Sequence, residues 1–185
     1  MRAFIAIDLP EAIRATLRRK QALFRSASPD ARWTQAEGIH LTLKFLGETP
    51  DPKVKEVCAS LKNLGHFQAL AITVRGFGFF PDARRPRVFW TGVEGPAGLS
   101  RLAEQVDQAM QRLGFTREER AFRPHLTLAR FKLPRPQPDL QALLAQEQEP
   151  DLGSFGVSEF FLFESKLSPK GAEYRKVERF PLEPE

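Results

Sequence analysis

Along this chain the spacing of hydrophobic positions switches between short continuous runs and stripes three or four residues apart. The opening RAFIAIDL is an apolar run that stops at Asp8 and predicts a short buried strand. Pro10 then opens a helical stretch in which Ile13, Leu17 and Phe24 share one face. GIHLTLKFLG, after a short RWT run, reads as a strand closed by Gly47. From about Pro52 onward, Val54, Val57, Cys58, Leu61 and Leu64 form a second apolar stripe. AITVRGFGFF and RVFWTGV predict two strands joined by the loop PDARRPR. Pro96 opens a third helix with the stripe Leu99, Leu102, Ala103, Val106, Met110 and Leu113. PHLTLARF is the next strand, followed by the proline-rich LPRPQPDL and a short helix carrying Leu140, Leu143 and Leu144. SEFFLFESKL and AEYRKVERFPL close the chain as strands.

This order repeats. HLTL at 40–43 recurs 85 residues later at 125–128. At nearly the same shift, the DLP before the first helix meets the EGP before the third, and the aromatic strand around Phe77–Phe80 meets Phe160–Phe163. Each half therefore supplies strand, helix, HLTL strand, helix and aromatic strand. Two copies are too few for a solenoid. They predict an α+β fold of two pseudo-symmetric lobes, each an antiparallel sheet packed by helices, with a central groove between them. On this reading 1–185 is a single bilobal domain in which a pseudo-twofold sets His40 opposite His125.

Successive side chains of a strand alternate faces. His40 and Thr42 then share one face, with Leu41, Leu43 and Phe45 on the other; His125 and Thr127 likewise oppose Leu126 and Leu128. With the leucines turned to a helix-covered core, the groove receives two imidazoles and two hydroxyls. That set suits phosphodiester chemistry. One ring can take a proton from water while the other protonates the departing oxygen. Threonine hydroxyls can donate to the non-bridging phosphate oxygens. The pseudo-symmetry leaves open which histidine is acid and which is base. Alternation also puts Lys44 on the face of His40, as a candidate phosphate or RNA contact. Arg130 has the right chemistry for phosphate but falls on the leucine face, so it needs a bulge or twist to reach the groove. Arg84, Arg85 and Arg87 form a basic loop suited to an RNA backbone. Phe45, Phe79, Phe80 and Trp90 include candidates for base stacking, although most aromatics at strand spacing belong to the core.

Composition narrows the partners. Net charge is +5 with a pI near 9.7, which favours an anionic partner such as nucleic acid. One cysteine and three histidines, with no CxxC or HExxH, argue against a zinc site, so neither metal nor cofactor is expected. Cys58 lies inside an apolar stripe and reads as core rather than nucleophile, and His66 reads as surface. The first apolar run is too short for a signal-peptide core and no run suits a membrane span, so the expectation is a cytoplasmic protein that needs no more than a monomer.

The paired H-x-T-x strands resemble those of the two-histidine phosphoesterase superfamily. RAFIAIDLP, IHLTLKFLG and RPHLTLAR are, more closely, similar to the bacterial RNA 2′,3′-cyclic phosphodiesterase (2′-5′ RNA ligase) family, over essentially the whole chain. The resemblance implies hydrolysis of a 2′,3′-cyclic phosphate RNA end to a 2′-phosphate, with no metal. It also implies that His40 is the proton donor to the leaving 3′ oxygen and His125 the proton acceptor from water. The alternatives are 2′-5′ ligation as the main role, with a hydroxyl replacing water, or a non-catalytic RNA-end-binding module.

Overall fold

The computed structural model describes residues 1–148 and 151–184. Its strands are β1 (Arg2–Ile7), β2 (Arg32–Trp33), β3 (Leu41–Glu48), β4 (Leu70–Phe80), β5 (Val88–Glu94), β6 (His125–Arg130), β7 (Asp151–Val157), β8 (Glu159–Ser168) and β9 (Gly171–Pro181). Helices are α1 (Glu11–Arg25), α2 (Asp51–Lys62), α3 (Ala97–Arg112) and α4 (Pro138–Gln146), and a 3₁₀ turn spans Ala36–Gly38. Pro10, Pro50 and Pro96 stand immediately before α1, α2 and α3 in extended conformation, where a missing N–H costs no intrahelical bond. The fold is α+β, with two antiparallel sheets and four helices, as the hydrophobic pattern predicts. Two short strands, β2 and β7, are additions to that pattern. β2 has only two residues, and β7 (DLGSFGV) carries two glycines that dilute its apolar signal.

One sheet has the order β3-β1-β8-β9 and the other β2-β6-β5-β4-β7. Each sheet thus draws strands from both halves of the sequence. β4 leaves β1 and β3 to pair with β5 and β7 in the other sheet, while β8 pairs with β1. The halves of the sequence are therefore not the two sheets: the aromatic strand of each repeat has crossed over. The helices follow the exchange, α1 packing on β7 and α3 on β3. Between them lies one large core that includes Leu17, Phe24, Leu41, Val57, Phe89, Leu102, Val106, Met110, Leu126 and Leu162.

The two motif strands share an irregularity. In the β1–β3 ladder Ile5 pairs with Lys44 and Ala6 with Thr42, so Leu43 is the extra residue of a bulge. In the β5–β6 ladder Phe89 pairs with Ala129 and Trp90 with Thr127, leaving Leu128 unpaired in the same way. Leu43 and Leu128 are 85 residues apart, the repeat distance. Beyond each bulge the alternation of faces is inverted.

Two polar residues interrupt the buried stripe of α1, and each holds one motif strand. Arg14 donates from Nη1 to the carbonyls of Ala36 and Ile39, the latter at 2.9 Å, fixing the turn that leads into His40. Gln21 donates from Nε2 to the carbonyls of Thr34 (2.6 Å) and Leu128 (3.0 Å), so it binds the second bulge. Cys58 is half-buried against the core, and burial pushes its thiol up, away from nucleophile chemistry.

Candidate active site

β3 and β6 meet between the two sheets. Beside them lies a groove of about 760 Å³, lined among others by His40, Thr42, Phe45, Thr127, Arg130 and Tyr174. His125 does not line this cavity; it stands at the head of β6, two residues from Thr127.

The two histidines have matching surroundings. His40 Nδ1 lies 3.1 Å from the carbonyl of Gly38, and His125 Nδ1 lies 2.6 Å from the carbonyl of Arg123, in each case the residue two before. A carbonyl only accepts, so both Nδ1 atoms carry hydrogen, and each neutral ring keeps its lone pair on Nε2. Each ring also meets an aromatic side chain from a crossed-over strand. Phe163 of β8 packs on His40 at 4.4 Å between ring centroids, and Phe80 of β4 packs on His125 at 4.8 Å. Strand exchange thus carries each repeat's aromatic residue to the other repeat's histidine.

The electrostatics are less symmetric. Burial pushes His40 down to about 4, with the Arg14 guanidinium adding to the effect and the Asp8 carboxylate opposing it. Burial also lowers His125; its bond to the Arg123 carbonyl works against this and the Arg130 charge reinforces it. Asp8 Oδ1 stands 3.8 Å from His40 Nε2. The same carboxylate pairs with Arg14 and, at 2.6 Å, with Lys176 of β9. Tyr174, also on β9, sets its ring edge-on to His40 at 5.2 Å. Gly38 permits that approach: a Cβ there would lie 2.6 Å from the tyrosine ring.

The bulges rearrange the supporting residues. Lys44 is turned away from the groove and buried, pairing with Asp107 of α3 at 2.6 Å and donating to the Thr116 carbonyl at 2.8 Å. Its expected place beside His40 is thus corrected: the bulge at Leu43 reverses the faces and gives the groove Phe45 instead, whose side chain is 70% exposed. The bulge at Leu128 does the same for Arg130, which strict alternation puts on the leucine face and which lines the groove. Of the remaining aromatic candidates, Phe79 packs into the core against Phe89 and Phe131, while Phe80 and Trp90 surround His125. Arg84 and Arg85 are exposed on the β4–β5 loop, and Arg87 donates to the Lys132 carbonyl at 3.1 Å. His66 is exposed and paired with Glu183. The sequence pattern does not single out Asp8, Arg14, Gln21 or Tyr174. Arg14 and Gln21 do leave a trace there, as polar residues at buried positions of an apolar stripe.

The family model for LigT-like phosphoesterases matches this chain twice, over residues 7–90 and 93–174, each match containing one HLTL string. The chain belongs to the LigT-like phosphoesterases. Among curated relatives of this phosphoesterase, the RNA 2′,3′-cyclic phosphodiesterase of Methanothermobacter thermautotrophicus is 37% identical over 183 residues, covering 98% of this chain and 99% of the relative. That of Thermotoga maritima is 34% identical over 176 residues, covering 95% and 92%. Among solved structures, LigT of E. coli complexed with 3′-AMP superposes with a TM-score of 0.80 at 29% identity, over 98% of this chain and 97% of that one. A protein of Thermus thermophilus gives 0.81 at 32% identity over the whole of both chains. Among the described residues, no helix of this LigT-like chain is long and apolar enough to cross a membrane.

Proposed function

We propose that this LigT-like phosphoesterase is an RNA 2′,3′-cyclic phosphodiesterase that opens a cyclic phosphate at an RNA end to a 2′-phosphate. The observation that carries the proposal is the pair of imidazoles, each with Nδ1 tied to a carbonyl and Nε2 left for proton exchange, on strands whose threonines and Arg130 face one groove. The names of the relatives, and a LigT crystallised with 3′-AMP, support the substrate class.

In the reaction, His125 Nε2 takes a proton from water as its oxygen attacks phosphorus. The bond from phosphorus to O3′ breaks, and His40 Nε2 gives its proton to O3′. Thr42 and Thr127 donate to the non-bridging oxygens as charge accumulates there, and the Arg130 fork pairs with the phosphate. The five-membered cyclic ester is strained, which lowers the barrier the protein must overcome. An acid and a base on the two strands whose threonines line the groove are superfluous for binding alone, which favours an enzyme over an end-binding module. We place it in the cytoplasm, as a monomer acting on RNA; a single cysteine needs no oxidising compartment.

The test is a short RNA ending in a 2′,3′-cyclic phosphate, incubated with purified protein in EDTA, with phosphorus NMR locating the product phosphate. We expect a 2′-phosphate, and losses of about 10²–10⁴-fold in turnover for His40→Ala and for His125→Ala. A folded wild-type protein that leaves the cyclic phosphate intact overturns the proposal.

A further inference from the structure

The pseudo-twofold gives the two histidines the same carbonyl contact, the same crossed aromatic and the same threonine two residues on, yet an acid and a base must differ. Charged groups supply the difference. His40 is faced by Asp8 at the end of β1, by Arg14 from α1, and by Lys176 from β9. His125 is influenced by the cation Arg130, and among the described residues no carboxylate acts on it. Asp8 has a counterpart in the repeat, because DLP aligns with EGP; that residue, Glu94, is largely exposed and reaches Arg75 at 4.0 Å instead. Two cations clamp the Asp8 carboxylate in place. Arg14 is buried and also bonded to the backbone before His40, while Lys176 closes the other side at 2.6 Å. The carboxylate next to His40 is therefore fixed by both the helix and the strand that flank it.

We propose that Asp8 is a positioning residue for His40: its carboxylate, 3.8 Å from Nε2 and without a counterpart at His125 among the described residues, offsets the Arg14 and Lys176 cations so that His40 can take up the transferable proton when a phosphate binds. This deepens the reading of the chain as a cyclic phosphodiesterase and rests on it. In the substrate-free groove, burial and Arg14 keep His40 neutral. A phosphate anion entering the groove adds negative charge beside a ring that Asp8 already favours as imidazolium. His40 takes up a proton with the substrate and delivers it to O3′ as the bond to phosphorus breaks. His125, beside Arg130, stays neutral and accepts the proton of the attacking water. The direction of ring opening is then set by one carboxylate outside the HLTL strings.

The pH profile of kcat tests this with the full chain and a cyclic-phosphate RNA. In Asp8→Asn the limb on which activity falls with rising pH moves to lower pH by about one unit, and kcat at neutral pH drops about tenfold. The limb on the acidic side, which belongs to His125, stays where it is, and Asp8→Glu recovers most of the loss. Lys176→Met removes a cation from the same cluster and moves the falling limb the other way, to higher pH. A substrate with sulfur in place of O3′ leaves without a proton, so Asp8→Asn turns it over at the wild-type rate. Should Asp8→Asn fail to fold, the Lys176→Met profile decides alone, because that lysine is half-exposed. Equal losses on the oxygen and sulfur substrates, an unmoved falling limb in both variants, or movement of the acidic limb instead would each overturn the role given to Asp8. A wild-type protein without turnover would overturn the cyclic phosphodiesterase reading itself, a result separate from these.

Discussion

An imidazole that donates from Nδ1 to a fixed carbonyl has one nitrogen left for chemistry, and its charge state is set by what surrounds that nitrogen. Burial depresses both histidines, His40 to about 4. The base must be neutral, so kcat/KM rises with pH through its depressed pKa. The acid must be protonated, so kcat/KM falls as pH rises through the other. Both lie below the ordinary value of 6.5, so the kcat/KM profile is a bell with its maximum on the acidic side of 6.5, whichever ring plays which part. A maximum above pH 7 would contradict this electrostatic picture. The same burial makes a stability prediction. A histidine whose folded pKa is depressed favours folding fully above pH 6.5, and that stability is lost as pH falls toward 4. His40, with its side chain 5% exposed, accounts for about 3 kcal/mol of the loss. Urea titrations at pH 7 and pH 4 should show a drop smaller by about that amount in His40→Asn. Lys44 gives a contrasting expectation. Its replacement by Met removes the 2.6 Å partner of Asp107, which is only 14% exposed but keeps the Glu118 N–H at 3.1 Å and Arg117 at 3.9 Å, and should cost about 1–3 kcal/mol in urea unfolding while turnover per folded molecule stays near wild type. A loss confined to kcat with stability intact would return Lys44 to the groove. Both histidines and both threonines were legible as a repeated string, because their chemistry and their spacing say the same thing. Asp8 was visible only as the end of an apolar run, since its partners Arg14, His40 and Lys176 come from three other parts of the chain.

At the level of the strands, which side chains reach the groove depends on where alternation fails. Paired residues of a regular strand would have sent Arg130 into the core side and Lys44 into the groove. One extra residue in each motif strand, Leu43 in β3 and Leu128 in β6, exchanges those fates. No pattern of apolar and polar residues announces a bulge here, because both bulged positions are buried leucines that also fit a regular strand. Gln21 is the device that holds the second one, through the Leu128 carbonyl. Gln21→Leu removes that bond in a buried place and should cost about 1–3 kcal/mol in urea unfolding. It should also lower kcat/KM on cyclic-phosphate RNA, since Arg130 follows the bulge by two residues. Arg130→Lys keeps the charge but loses the planar fork, and a drop of about tenfold or more in kcat/KM is expected. If Arg130→Lys matched wild type while Gln21→Leu were impaired, the bulge would be serving stability rather than the groove.

The whole molecule is organised by the exchange of β4 and β8. A repeat read from sequence invites the picture of two lobes, one per half, and the helices, the HLTL strands and the aromatic strands all appear in the predicted order. What that order could not convey is which sheet each aromatic strand joins, since β4 and β8 are apolar enough to pair with any neighbour. The exchange has a consequence legible in the site: it brings Phe80 to His125 and Phe163 to His40, so each histidine ring is packed by the other repeat. It also makes the halves interdependent. A chain cut within the exposed β4–β5 loop, after Arg84, leaves β4 in one fragment and its partners β5 and β7 in the other. The same cut separates β1 from β8. Fragment 1–84 then has an aromatic strand with no sheet, and fragment 85–185 lacks the strand that joins β5 to β7. Neither should give a dispersed amide spectrum alone, whereas an equimolar mixture should recover both dispersion and cyclic-phosphate turnover. Dispersion in either fragment by itself would mean that one repeat folds without the other and that the strand exchange is not needed for folding.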